Sequence, residues 1–216
     1  MIFFMRQILL SGCVLGCFAF GQAGADVQLR GDRFPGLRYQ DMTPEQKALT
    51  DRAAAGRGAI GTFNIMLRSP ELSEMVRGTS GFRTKSELSP KHTELAILIN
   101  ARYWNTQFEW IVHKQAALQA GLSAATIQAI AEGRRPANLL PDEAPVYEYV
   151  RELLKTKQVS DATFAAVKNL LGEKGVVDII GIVGFYQLSS LLMNVDRYPL
   201  QPGQVPDLKP LATPLP

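Results

Sequence analysis

Cysteine is almost absent from this sequence. The chain of 216 residues contains two cysteines, Cys13 and Cys17, and both lie close to its N-terminus. Loss of an N-terminal segment would therefore leave no cysteine. That would exclude disulfide bonds, thiolate metal sites and a thiol nucleophile from the rest of the chain. We expect stability to come from an apolar core and from contacts between copies of the chain.

The chain also lacks a strong charge of either sign. Lysine and arginine total 23 against 20 aspartates and glutamates, a formal net charge of +3. No run of basic residues forms a stripe, so we expect no nucleic-acid partner. A hydrophobic fraction of 46% and a charged fraction of 20% are typical of a globular protein. Histidine occurs only twice, at His92 and His113.

The first 25 residues predict a signal peptide. Arg6 precedes an apolar run, and Ala23-Gly24-Ala25 offers small residues before a cut ahead of Asp26. A second interpretation uses "LSGC" at 10–13, a lipoprotein-type box with Cys13 as the acylated residue. Ordinary cleavage is favoured, because the lipoprotein box leaves a very short apolar run. Either interpretation predicts a periplasmic or secreted protein.

The remaining chain predicts an all-α, single-domain helical bundle without strands. Ser or Thr followed by Pro marks several helix starts, since these residues cap and open helices. The expected helices begin at Thr43-Pro44, Ser69-Pro70, Ser89-Pro90, Thr106, Ser123, Asp142 and Ser160, and a last one spans 176–194. Gly172 should close the helix that begins at Ser160. The predicted organisation is an arm at 26–41, a helical domain at 42–200 and an irregular, proline-rich tail at 201–216.

The last predicted helix, 176–194, is apolar nearly all round. Asp178, Gln187 and its serines argue against a stable membrane span in the mature protein. Gly181 and Gly184 would let a neighbouring helix approach closely. A helix surface this apolar predicts that copies of the chain associate.

One window concentrates polar and aromatic side chains around a histidine. We expect a turn at "RYWN", 102–105, then a helix capped by Thr106 with Glu109 at capping-box spacing. Glu109 and His113 are four residues apart and share a helix face. The window fits either the polar lining of an active site or a helix hairpin with ordinary surface charges. His92, beside Lys91, has no partner at functional spacing and is expected at the surface.

The stretch "LSPKHTELAILINARYWNTQFEWIVHKQAALQAGLSAATIQAI" resembles the core motif of the carboxymuconolactone decarboxylase family, which includes the alkyl hydroperoxidase D-like proteins. The family pattern is a glutamate on one helix, a short turn, and a helix with a histidine. Here these are Glu94, 102–105 and His113. "GFYQLSSLLMN" is similar to the family's terminal core helix. The resemblance implies an all-α bundle that forms a homotrimer or homohexamer and uses no metal or organic cofactor.

The sequence departs from the redox branch of that family. The Cys-x-x-Cys pair of the peroxidase-like members falls on Thr106 and Glu109. Without two thiols there is no dithiol–disulfide cycle, so thiol peroxidase activity is not expected. The decarboxylase branch also lacks the pair and is the closer match.

The resemblance implies acid–base chemistry on a small carboxylic acid or lactone. His113 would transfer the proton, and Glu94 or Glu109 would orient its ring. Arg102 is the candidate for holding a substrate carboxylate. The pocket walls would be the aromatic residues Tyr103, Trp104 and Trp110, which equally fit a role in the core or an interface.

Two other functions remain open. A catalytically idle oligomeric scaffold or small-acid binding protein could retain the fold, and a lactonase or isomerase could use the same residues. Burial separates an enzyme from an idle scaffold. An enzyme should bring Glu94, Glu109 and His113 together in one enclosed pocket.

Overall fold

A computed structural model describes residues 31–54, 62–78, 82–83 and 85–211 of the chain. The signal peptide predicted for 1–25, with Cys13 and Cys17, lies outside these residues.

The fold is all-α, as the sequence predicts. The described residues form eight α-helices and no strand. The helices are α1 (Pro44–Ala54), α2 (Phe63–Met66), α3 (Pro70–Gly78), α4 (Pro90–Trp104), α5 (Gln107–Gln119), α6 (Ala124–Ala131), α7 (Glu143–Thr156) and α8 (Asp161–Asp196). A short 3-10 helix, Tyr39–Asp41, precedes α1. The boundaries proposed for arm, domain and tail stay predictions.

Side-chain caps start three of the helices where the sequence predicts them. The hydroxyls of Ser89, Ser123 and Ser160 each accept a hydrogen bond from the backbone N–H three residues later. Each cap satisfies a donor that the first helical turn leaves without a partner. At α1 a reciprocal box joins Thr43 and Gln46: each backbone N–H bonds the other's side-chain oxygen, at 3.0 and 3.3 Å.

The expected turn at 102–105 is wrong. Helix α4 continues to Trp104, and the chain reverses at Asn105, whose φ is 53°. Asparagine adopts this left-handed conformation more readily than most residues. The reversal therefore takes only two residues, Asn105 and Thr106, and α4 and α5 form a tight antiparallel hairpin.

Helix α4 forms the centre of the bundle. Leu95, Ala96, Ile97 and Leu98 are fully buried, all round the helix. A helix that is apolar on every face must be surrounded, and α4 packs against α5, α6, α7 and α8. Polar side chains on α4 are therefore held inside the protein.

Helix α8 is long and interrupted. Gly172, with φ 70° and ψ 179°, breaks the helical geometry where the sequence predicts an end, and the chain resumes as a helix up to Asp196. By length and composition α8 could cross a membrane. It packs against α4 and α7, which is also how the core helix of a soluble protein meets that criterion. One side carries exposed apolar residues, among them Val177, Ile180, Leu191 and Val195.

The tail after α8 is irregular but docked. Gln107 on α5 accepts hydrogen bonds from the backbone N–H groups of Asp207 and Leu208 and donates one to the Leu208 carbonyl. Leu208 is only 3% exposed and belongs to the main apolar core. The Asp207 carboxylate accepts from Trp110 and Lys114. The tail thus completes the core beside the α4–α5 hairpin.

Candidate active site

A glutamate–histidine pair joins the two helices of the central hairpin. Glu94 lies in the second turn of α4 and His113 in the middle of α5, and the antiparallel hairpin places them opposite each other. Glu94 Oε2 lies 2.7 Å from His113 Nδ1. The two side chains are 4% and 12% exposed. Since the carboxylate can only accept, Nδ1 donates, and the imidazole is held with Nε2 as its second reactive nitrogen.

A cation that the sequence did not single out completes the pair. Arg83, between α3 and α4, binds the other carboxylate oxygen of Glu94 through Nη2. Its Nη1 donates to the Tyr186 hydroxyl at 2.9 Å. Glu94 is thus shared between Arg83 and His113. The Arg83 side chain is 34% exposed, so the cluster meets solvent on the arginine side.

Tyr186 on α8 packs against both partners of Glu94, His113 and Arg83. Its ring meets the His113 ring edge-on with centroids 4.9 Å apart. The guanidinium carbon of Arg83 lies 5.9 Å from the Tyr186 ring centroid, within cation–π range. Three helices and one loop therefore converge on a cluster of Arg83, Glu94, His113 and Tyr186, which we call the acid–base cluster.

Glu109 does not join this cluster. It is 2% exposed and hydrogen-bonds Ser190 Oγ at 2.9 Å and Asn100 Nδ2 at 3.4 Å. Burial, the dominant cause, raises its pKa from 4.5 to about 7, against smaller lowering effects of its hydrogen bonds. Both local interpretations of Glu109 are wrong: Thr106 makes no side-chain cap, and Glu109 is no exposed partner of His113.

Arg102 lies apart from the acid–base cluster, and its role as the ligand of a substrate carboxylate stays a prediction. The residue is 3% exposed, and its guanidinium donates to Asn105 Oδ1 and to the Lys209 carbonyl, both at 3.0 Å. Burial lowers the pKa of Arg102. Its hydrogen bonds hold the docked tail, so Arg83 is the arginine at the candidate site.

The three aromatic residues predicted as pocket walls also serve other contacts. Trp110 is fully buried and donates from Nε1 to Asp207. The Tyr103 hydroxyl accepts from Lys157 Nζ at 2.6 Å, and the Tyr103 and Trp104 rings meet edge-on at 5.4 Å. They pack in the core and against the tail and α7, which is the alternative that the sequence left open.

His92 is buried, and its expected surface position is wrong. It is 6% exposed, and Nε2 lies 3.1 Å from Asp142 Oδ2. Lys91 binds the same carboxylate at 2.9 Å, and both contacts lower the pKa of Asp142. This cluster ties the start of α4 to the start of α7. The partner lies 50 residues away in sequence, so local spacing held no sign of it.

A surface cleft lies away from the acid–base cluster. An open cleft of about 350 Å³ lies between α1 and α3, lined by Glu45, Ala48, Leu49, Arg52, Pro70, Glu71 and Glu74. No buried pair of titratable side chains lines this cleft. We therefore place the candidate active site at the acid–base cluster, where Glu94 and His113 form such a pair. Across the described ranges, no three His, Cys, Asp or Glu side chains are placed to hold a metal ion.

Fold and cluster together define an all-α protein with a buried glutamate–histidine pair on its central helix hairpin. Residues 70–152 match the sequence model of the carboxymuconolactone decarboxylase family. The match contains Arg83, Glu94 and His113 and confirms the resemblance over these residues. Tyr186 lies outside the matched segment. A comparison with curated proteins gives no match.

Proposed function

We propose that the protein catalyses a cofactor-free acid–base reaction on a small carboxylic acid or lactone, with decarboxylation as the first candidate. The observation that supports this best is the 2.7 Å contact between Glu94 Oε2 and His113 Nδ1. A buried carboxylate that fixes one ring nitrogen leaves the other free to exchange a proton with a substrate. The family match gives the reaction class a second, independent support.

The proposed step breaks the bond between the substrate carbon and its carboxylate. Carbon dioxide leaves, the bonding electron pair remains as an enolate-like centre, and a proton then neutralises it. Protonated His113 would give that proton from Nε2, while Glu94 stabilises the imidazolium through Nδ1. A lactonase or isomerase step would use the same nitrogen as the base.

Arg83 is the candidate for holding an acidic substrate. One face of the guanidinium is engaged by Glu94 and Tyr186, but a third of the side chain is open to solvent. A guanidinium presents five N–H donors in a fork that suits carboxylates. A bound carboxylate would compete with Glu94 for the cation. Substrate binding and the orientation of His113 would then be coupled.

We further propose that the protein acts as an exported homotrimer or homohexamer. Export rests on residues 1–25 of the sequence. Self-association rests on the apolar side of α8, where Val177 is 63% exposed and Ile180 is 49% exposed. Mass spectrometry of secreted protein should find Asp26 at the N-terminus. An intact Met1, or an acylated Cys13, would contradict that cut.

The test of function is a substrate panel. Purified protein is incubated with lactones and keto acids while carbon dioxide release and substrate loss are followed separately. Release that disappears in His113→Ala and persists in Glu132→Gln, an exposed carboxylate, supports the decarboxylase. Substrate loss without carbon dioxide indicates a lactonase or isomerase. Saturable binding without turnover indicates the idle, acid-binding scaffold.

A further inference from the structure

The acid–base cluster leaves one buried carboxyl unexplained. Glu109 and Asn100 lie between α4, α5 and α8, with Ser190 on the third helix. Asn100 and Ser190 are fully buried and Glu109 is 2% exposed. No cation contacts Glu109 in the described part of the chain, and an isolated buried carboxylate is costly. A group in such a place must either neutralise itself or find donors.

Hydrogen bonds of normal geometry reach only one oxygen of Glu109, and the neighbouring Ser189 hydroxyl also lowers its pKa. Oε1 accepts from Ser190 Oγ at 2.9 Å and from Asn100 Nδ2 at 3.4 Å. Asn100 Nδ2 also donates to Ser190 Oγ at 3.2 Å. On the other side of the pair, Glu109 Oε2 and Asn100 Oδ1 are both buried without a partner. As long as Glu109 is ionised, both of these atoms are acceptors.

A single proton on Glu109 Oε2 would pair both of these atoms with each other. A carboxylic acid and a carboxamide pair through two hydrogen bonds, one from N–H to carbonyl and one from O–H to the amide oxygen. The first already exists between Asn100 Nδ2 and Glu109 Oε1. The second needs a proton on Oε2 and Asn100 Oδ1 as acceptor. A protonated Glu109 leaves neither atom without a partner.

This pair lies one helical turn from the acid–base cluster on two shared helices. Glu109 precedes His113 by four residues on α5, and Ser190 follows Tyr186 by four on α8, so both layers use the same helix faces. The titratable groups of the acid–base cluster on these helices are Glu94 on α4, His113 on α5 and Tyr186 on α8. None of them contributes to the shifted pKa of Glu109, whose causes are burial and hydrogen bonds to serines and Asn100.

We propose that Glu109 is held as an uncharged carboxylic acid that donates from Oε2 to Asn100 Oδ1, and that loss of this proton loosens α5 from α4 and displaces His113. Glu109 is then a positioning residue, which touches no substrate and acts through the helix that carries His113. The proposal extends the proposed function by giving the site an upper pH limit. It stands on contacts that exist whether or not the protein is an enzyme.

The test follows the proton itself. Infrared spectra of the protein at pH 5 should show the carbonyl stretch of a protonated carboxyl, and Glu109→Gln should lack it. The band should fade with a midpoint near pH 7. Ser190→Ala removes a donor that stabilises the ionised form, so it should move that midpoint to higher pH. Glu71→Gln, an exposed carboxylate in α3, is the control.

Hydrogen exchange then tests the structural consequence. Amides of α5 should exchange faster at pH 9 than at pH 6, after correction for intrinsic rates, in the wild-type protein but not in Glu109→Gln. Absence of the protonated band, an unmoved midpoint in Ser190→Ala, or a Glu109→Gln chain that fails to fold would overturn the proposal, because the Gln amide supplies the missing donor. These outcomes do not depend on turnover, so they are separate from failure of the proposed function.

Discussion

Glu94 and His113 are joined by a 2.7 Å hydrogen bond across the central hairpin, although 19 residues separate them in sequence. The bond fixes the ring nitrogen that faces α4. Because it is buried, water competes for it weakly.

The first prediction concerns turnover. Removing a positioned acid–base group lowers rates by about 10²- to 10⁴-fold, so His113→Ala should reduce kcat by that amount on any substrate found in the panel. Glu94→Gln should reduce it less, because the amide retains a hydrogen bond to the ring but not the charge. Glu132→Gln should be unaffected. Full activity in His113→Ala would reject the site.

The second prediction separates the two candidate arginines, Arg83 and Arg102. Arg83→Met should raise KM for acidic substrates by about 10- to 100-fold, because a hydrogen bond to a charged group contributes about 1.5–3 kcal/mol. Arg102→Met should leave KM unchanged, since Arg102 contacts the tail, and should lower the denaturation midpoint. Steady-state kinetics and urea unfolding of both variants measure this. An equal rise in KM for both would restore Arg102 as the substrate ligand.

The third prediction is a pH dependence of stability. The folded-state pKa of Glu109 is raised from 4.5 to about 7, so the folded chain keeps a proton that the unfolded chain releases. The stabilisation is fully present below pH 4.5 and is lost as pH rises to about 7. The change is about 3 kcal/mol, at 1.36 kcal/mol per pKa unit. Urea unfolding of wild-type protein and Glu109→Gln at each pH isolates it. Parallel curves would contradict the raised pKa.

The fourth prediction concerns the docked tail. Leu208 is 3% exposed in the main core, and truncating such a side chain costs about 2–5 kcal/mol. Leu208→Ala should therefore lower the free energy of unfolding by that amount. Val205, three residues earlier and 76% exposed, supplies the control: Val205→Ala should change nothing measurable. Equal stability of the two variants would mean that the tail is not docked in solution.

The fifth prediction concerns self-association. Light scattering at micromolar concentration should give a trimer or hexamer. A Val177→Lys, Ile180→Lys double variant places two charges on the exposed side of α8 and should shift the protein towards monomer. Leu140→Lys, at a site 51% exposed in the loop before α7, should not. A monomeric wild-type protein would leave the apolar side of α8 unexplained.

Local chemistry made the helices predictable. The sequence predicted helix starts at Ser89, Ser123 and Ser160, and these serines cap helices in the structure. Such a cap can be predicted because it depends only on the three residues that follow it. Gly172 breaks α8 for an equally local reason, its positive φ. The hairpin reversal was predicted two to three residues too long, because Asn105 alone provides the left-handed conformation and the aromatic residues before it stay helical.

The site was only partly predictable, because its contacts span long distances in sequence. The Glu94–His113 pairing came from a family pattern rather than from periodicity. Arg83 lies in a loop without any spacing signal. The contact between Arg102 and the Lys209 carbonyl could not be predicted, because 107 residues separate the two in sequence. Glu109 is buried against α8, and no pattern in the sequence near Glu109 indicates that this distant helix packs there.

The docked tail also determines when the core can be completed during translation. Leu208 and the carbonyl that follows it are translated about a hundred residues after the side chains of α4 and α5 that receive them. A nascent chain that has released α4 through α7 still lacks the residue that closes its core beside Trp110. Until residue 209 emerges, the hairpin keeps an open apolar edge. The core beside the hairpin is therefore completed only by the last part of the chain to be synthesised.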